Sequence, residues 1–106
     1  KMKFVNRGYL IVQAKEPFMS WANQYDEDFT VDGVLEPNIY LIEEDFFEEE
    51  PIIKANYKHI FENELYAVTD NLNHFPPINF ELFENWFDVK IGSTVFDTQS
   101  QDLTRD

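Results

Sequence analysis

Apolar positions fall along this chain in two rhythms, one of period two and one of about 3.6. Residues 9–14, Tyr-Leu-Ile-Val-Gln-Ala, are nearly continuous in hydrophobicity and rich in β-prone types. They predict an interior strand covered on both faces, with a start that can reach back toward Phe4. Lys15-Glu16-Pro17 ends it, and Pro17 suits the first turn of a helix, where its missing N–H costs nothing. Phe18, Trp21, Ala22 and Tyr25 then recur at i, i+3, i+4 and i+7, an amphipathic stripe that Asp26-Glu27-Asp28 stops. Residues 29–37 admit two readings. Val31-Asp32-Gly33-Val34 fits a tight hairpin, while Thr30 can cap a helical turn running to Leu35, which is the reading preferred here.

Asn38 to Ile42 predicts a second strand, running into an acidic block from Glu43 to Glu50. Pro51 marks another helix start, and Ile53, Tyr57, Ile60, Phe61, Leu65 and Val68 form the longest helical stripe in the chain. Lys58 and Glu62 are spaced to pair on its outer face. Asp70 to Pro77 reads as loop, because Asn, His and Pro76-Pro77 forbid continuation. Asn79 can cap a short helix that turns Phe80, Phe83, Trp86 and Phe87 inward. Val89, Ile91, Ser93 and Val95 alternate with Lys90, Gly92, Thr94 and Phe96, the pattern of a final strand.

The predicted class is therefore α+β, in the order β-α-β-α-α-β. A three- or four-stranded sheet must be covered by helices as a second layer. If the first two strands run parallel, their crossover should be right-handed. Residues 2–97 are expected to form one domain, with 98–106 a frayed polar tail. Eleven Phe, five Tyr and two Trp in 106 residues supply the apolar material for a core. Trp21, Tyr57, Phe61, Phe83, Trp86 and Phe87 are its expected centre.

Charge narrows the function. Eight Lys and Arg against twenty-one Asp and Glu leave a net charge of −13. Such a chain repels phosphate backbones and anionic bilayers, so no direct nucleic-acid or membrane binding is expected. A basic protein partner or a cation is permitted, and an acidic surface also serves solubility alone. Without Cys, disulfides, thiolate metal sites and cysteine nucleophiles are excluded. Lys3, Asn6 and Arg7 interrupt any leader-like apolar run, and a cytoplasmic location is the expectation.

Several of these segments together resemble a family of small acidic bacterial proteins. The resemblance rests on Lys15-Glu16-Pro17-Phe18 with Trp21, Tyr40-Leu41-Ile42, Ile60-Phe61-Glu62-Asn63-Glu64-Leu65, Phe75-Pro76, Trp86-Phe87-Asp88 and Ser93-Thr94-Val95-Phe96-Asp97. Phe75 stands where that pattern has Trp, and Tyr66-Ala67 departs from it. The family has no assigned activity, so the resemblance implies one intact bacterial domain and no catalytic residue or cofactor.

Candidate chemistry is sparse. Asp28-x-Thr30-x-Asp32-Gly33 imitates the start of a calcium loop, but Ile39 occupies the position that needs a bidentate Glu, so no metal site is expected. His59 and His74 show no zinc spacing, and neither Ser20 nor Ser93 sits in a nucleophile elbow. Gly8, Gly33 and Gly92 form no phosphate loop. Gly8 and Gly92 instead predict a bulge or a close backbone approach. Asp88 with Asp97, or Glu62 with Glu64, could act as an acid pair only if one were held in an apolar pocket.

The acidic block is the localised oddity. A helix dipole uses only the carboxylates of about the first turn, and this run is longer and contains two adjacent Phe. Both cannot face one core stripe. Either they are buried under the neighbouring loop, or one is exposed as an anchor for a partner. The expected binding residues are Glu43, Glu44, Phe46, Phe47, Glu48, Glu49 and Glu50, in a non-catalytic interaction or regulatory module that needs no cofactor. The alternatives are a small carboxylate-dependent hydrolase using Asp88 and Asp97, or an acidic mimic of nucleic acid.

Overall fold

A computed structural model describes residues 2–29 and 35–104. The chain is α+β, and the described residues form three helices and two small antiparallel sheets. Strand β1 (Lys3–Val5) is followed by β2 (Gly8–Ala14), helix α1 (Glu16–Tyr25), β3 (Asn38–Ile42), α2 (Glu49–Tyr66), α3 (Phe80–Trp86), β4 (Phe87–Gly92) and β5 (Val95–Asp97). A 3₁₀ turn, Leu72–His74, lies between α2 and α3.

The larger sheet has the order β3-β2-β4, and β1 pairs with β5 in a separate ribbon. The strands flanking α1 are antiparallel, not parallel, so no right-handed crossover arises. The expected single sheet of three or four strands is thus two sheets. Register explains the split. Between the pairs Val5–Val95 and Tyr9–Gly92, Asn6, Arg7 and Gly8 stand opposite only Ser93 and Thr94. One extra residue breaks the ladder as a bulge does, turning two long strands into a three-stranded sheet and a two-stranded ribbon. The close approach expected at Gly8 is present. A Cβ there would lie 2.9 Å from the Glu43 carbonyl oxygen and 3.0 Å from that of Gly92.

The three helices bury their stripes against one face of the larger sheet. Leu10 and Val12 of β2, Ile42 of β3 and Phe87 of β4 meet Phe18, Trp21 and Ala22 of α1, Tyr57, Ile60, Phe61 and Leu65 of α2 and Phe83 of α3. Rings at the centre pack edge-on or tilted, as with Phe61 and Phe87 at 5.6 Å and Phe18 and Phe87 at 5.0 Å. Trp86, expected in the core, is only half-buried. The short α3 ends at that residue, and the ring lies at the margin against Phe18 and Trp21. Asn79 caps α3 as its position predicts, accepting the Leu82 N–H at 2.8 Å.

Strand β2 is the central strand, but only one of its faces is fully covered. Gly8, Leu10 and Val12 are buried, while Tyr9, Ile11 and Gln13 on the other face are half-covered. No described helix lies over that second face.

Candidate interaction surface

The acidic block is positioned by a contact at the end of the sheet. Because Gly8 has no side chain, Phe46 can settle against it, its ring edge 3.1 Å from where a Cβ would be. Glu43 is tied from the helix side, its Oε1 accepting Asn56 Nδ2 at 3.1 Å. Phe46 packs on the core, whereas its neighbour Phe47 is fully exposed. The two Phe therefore have opposite fates.

Around Phe47, Glu43, Glu44, Asp45, Glu48, Glu49 and Glu50 are all exposed. Only Glu49 and Glu50 lie in the first turn of α2, and Glu48, at the N-cap, makes no side-chain capping bond. The helix dipole accounts for the first two, and Glu43 to Asp45 lie outside its reach in the preceding loop. Glu50 accepts from Lys54 at 2.9 Å, which pushes that ammonium above its usual value, and Lys54 also lies 5.3 Å over the Phe80 ring. This pair forms one turn before the Lys58–Glu62 spacing read in the sequence.

The carboxylate pairs read as candidate acids separate. Asp88 is exposed and lies 3.9 Å from Lys15, while Asp97 lies 3.6 Å from Lys3 in the other sheet. Neither is an acid isolated in an apolar pocket. Glu64 is different, and the sequence signal for it was available. It stands seven residues after Tyr57 and three after Phe61, squarely on the apolar stripe of α2. It is 7 % exposed. Its Oε2 accepts Asn38 Nδ2 at 2.8 Å and a very close hydroxyl from Tyr40, whose oxygen in turn accepts Asn63 Nδ2 at 3.0 Å. Burial first, and the Glu64 bond second, push the Tyr40 phenol well above its ordinary range. The phenol stays protonated and donating, so this polar cluster fastens β3 to α2.

His59 is exposed on α2, whereas His74 stacks on Tyr25 at 4.1 Å and accepts Trp21 Nε1 through its carbonyl at 2.9 Å. Among the described residues no group of three His, Asp or Glu could hold a metal ion. Thr30, Asp32 and Gly33 of the calcium-like stretch, and the hairpin-or-turn alternatives at 30–34, lie outside the described residues, whereas Asp28 is exposed and Ile39 stands on β3.

The uncovered face of the larger sheet is the other unusual surface. On it, Tyr9 pairs with Leu41 and Ile11 with Ile39, and Ile11 also faces Lys90. Ile39 is 66 % and Leu41 47 % exposed. With Thr94 and Val95 they line a shallow depression of about 300 Å³. Among the described residues no helix is long and apolar enough to cross a membrane. Searches against known protein families, curated proteins and solved structures find no match to this chain.

Proposed function

We propose that the chain is a non-catalytic protein-interaction module whose acidic surface, Glu43, Glu44 and Glu48 to Glu50 around Phe47, receives a basic protein. The observation that carries this reading is the full exposure of Phe47 inside a run of carboxylates, while Phe46 beside it packs on the core. Holding a large ring in water forgoes its burial, about 1.5–3 kcal/mol, and a partner that covers it recovers that energy. The surrounding charge speeds encounter with a cationic surface, and the ring supplies the anchor.

The two contributions separate kinetically. A partner retrieved by affinity capture is passed over immobilised protein at two salt concentrations. Neutralising Glu48, Glu49 and Glu50 to Gln slows association and flattens its salt dependence. Phe47→Ala mainly speeds dissociation, by tenfold or more if the ring contributes about 1.4 kcal/mol or more. Unchanged kinetics in both variants would reduce the block to a solvated helix entrance.

A further inference from the structure

Strand β3 is an edge of its sheet. It pairs with β2 on one side, and among the described residues no strand pairs with the other. An open edge presents a row of free N–H and C=O groups, which proteins usually guard with lysine, proline or a bulge. The opposite edge, β4, carries the exposed Lys90. Strand β3 has no such guard within its length, Pro37 adjoining only its start. It contains neither Lys nor Pro, its register with β2 is unbroken, and Ile39 and Leu41 stand exposed on the uncovered face.

The charges at its ends say what fits there. Glu36 precedes the strand and Glu43, Glu44 and Asp45 follow it, all exposed, and no Lys or Arg occurs between Lys15 and Lys54. A second copy of this chain is a poor occupant. Antiparallel pairing of two β3 edges would bring the acids after one strand toward the acid before the other, and facing like charges destabilise a ladder. Resting on the reading of the chain as a module for a basic partner, we infer that the free edge of β3 takes up an extended basic segment of that partner by strand addition. The segment adds about five residues, roughly 17 Å of strand. Apolar side chains at alternate positions continue the Ile39–Leu41 row, and Lys or Arg at both ends meets Glu36 and the acids from Glu43 to Asp45.

The probe is a synthetic peptide with a Val-Thr-Val-Thr-Val core and two lysines at each end, titrated into the full chain by calorimetry. Two further peptides carry N-methyl groups on alternate core amides, one in each register. Each lost hydrogen bond is worth about 1 kcal/mol. The register that faces β3 should therefore bind at least about tenfold more weakly, and the other should match the parent. Glu-flanked peptide should not bind. Ile39→Lys and Leu41→Lys, exposed positions whose folding is checked by circular dichroism, should each weaken the parent peptide about tenfold. Phe47→Ala should leave it within about twofold, well under 1 kcal/mol. Equal binding of both methylated registers would mean that charge alone holds the peptide, and the edge proposal fails. It fails too if nothing binds at about 1 mM, which is weaker than about 4 kcal/mol, or if the chain dimerises and Leu41→Lys abolishes the dimer. The Phe47 surface is judged separately. If the peptide fails while Phe47→Ala still releases the captured partner, strand addition is wrong and the acidic surface stands.

Discussion

The two faces of the larger sheet are made from similar residues and have opposite surroundings. Leu10 and Val12 point into the layer of helices and are shut from water, whereas Ile11, Ile39 and Leu41 sit on the side that no described helix covers. Side chains alternate along a strand, so one β2 sequence serves both sides. Hydrophobicity alone does not distinguish them, because Ile11 is as apolar as Leu10. What distinguishes them is where the helices return. The lesson is that an apolar residue in a central strand marks a surface to be covered, without saying by what.

Substitutions on the two sides should differ most sharply. Phe61→Ala and Phe83→Ala remove rings that are 0 % exposed, and each should lower unfolding free energy by about 3–5 kcal/mol in urea titration. If either loss stays below about 1 kcal/mol, the covered side is not the core described here.

Next come the close approaches. Gly8→Ala would push a methyl group against two backbone carbonyl oxygens at 2.9 and 3.0 Å, and neither can swing aside. A loss of about 1–3 kcal/mol is expected, with Phe46 loosened from its seat. The nearest atoms to a Cβ at Gly92 belong to the far end of the Tyr9 ring, on the uncovered side, which can swing away, so Gly92→Ala should cost less than about 1 kcal/mol. Reversal of that order in denaturant midpoints would break the contrast.

The polar cluster at Glu64 tests how β3 is held on the covered side. Glu64→Ala strands the Tyr40 hydroxyl and the Asn38 amide, with an expected loss of about 1–3 kcal/mol that Glu64→Gln largely restores. Its pH signature follows from Tyr40. Because the folded state raises that phenol, its contribution is complete below about pH 10, where an unfolded tyrosine ionises, and is lost as pH rises beyond. Stability should fall more steeply above about pH 10 in the natural chain than in Tyr40→Phe. Equal slopes would remove the cluster from the account.

The smallest effects belong to the uncovered side. Ile39→Ser and Leu41→Ser should shift stability by no more than about 0.5 kcal/mol. A larger loss would show that this side is packed.

Much of this fold could be read locally. The stripe from Phe18 to Ala22, the cap at Asn79 and the limits of β3 follow from spacing and residue type, because a helix face and a capping bond are decided within one or two turns. The split of the sheet could not be read, since a register shift is a relation between residues more than eighty positions apart, as Val5 with Val95 and Tyr9 with Gly92 are. Glu64 was half legible. Its place on the stripe was plain, while the Asn38 and Tyr40 groups that make its burial tolerable came from another strand. In the acidic block, the pattern of residues left two outcomes open, both Phe46 and Phe47 under the neighbouring loop or one of them exposed, because in a loop no fixed period assigns side chains to a face. Which of them goes inward was decided only in three dimensions. The space above Gly8, at the far end of another strand, admits the Phe46 ring and leaves Phe47 to solvent.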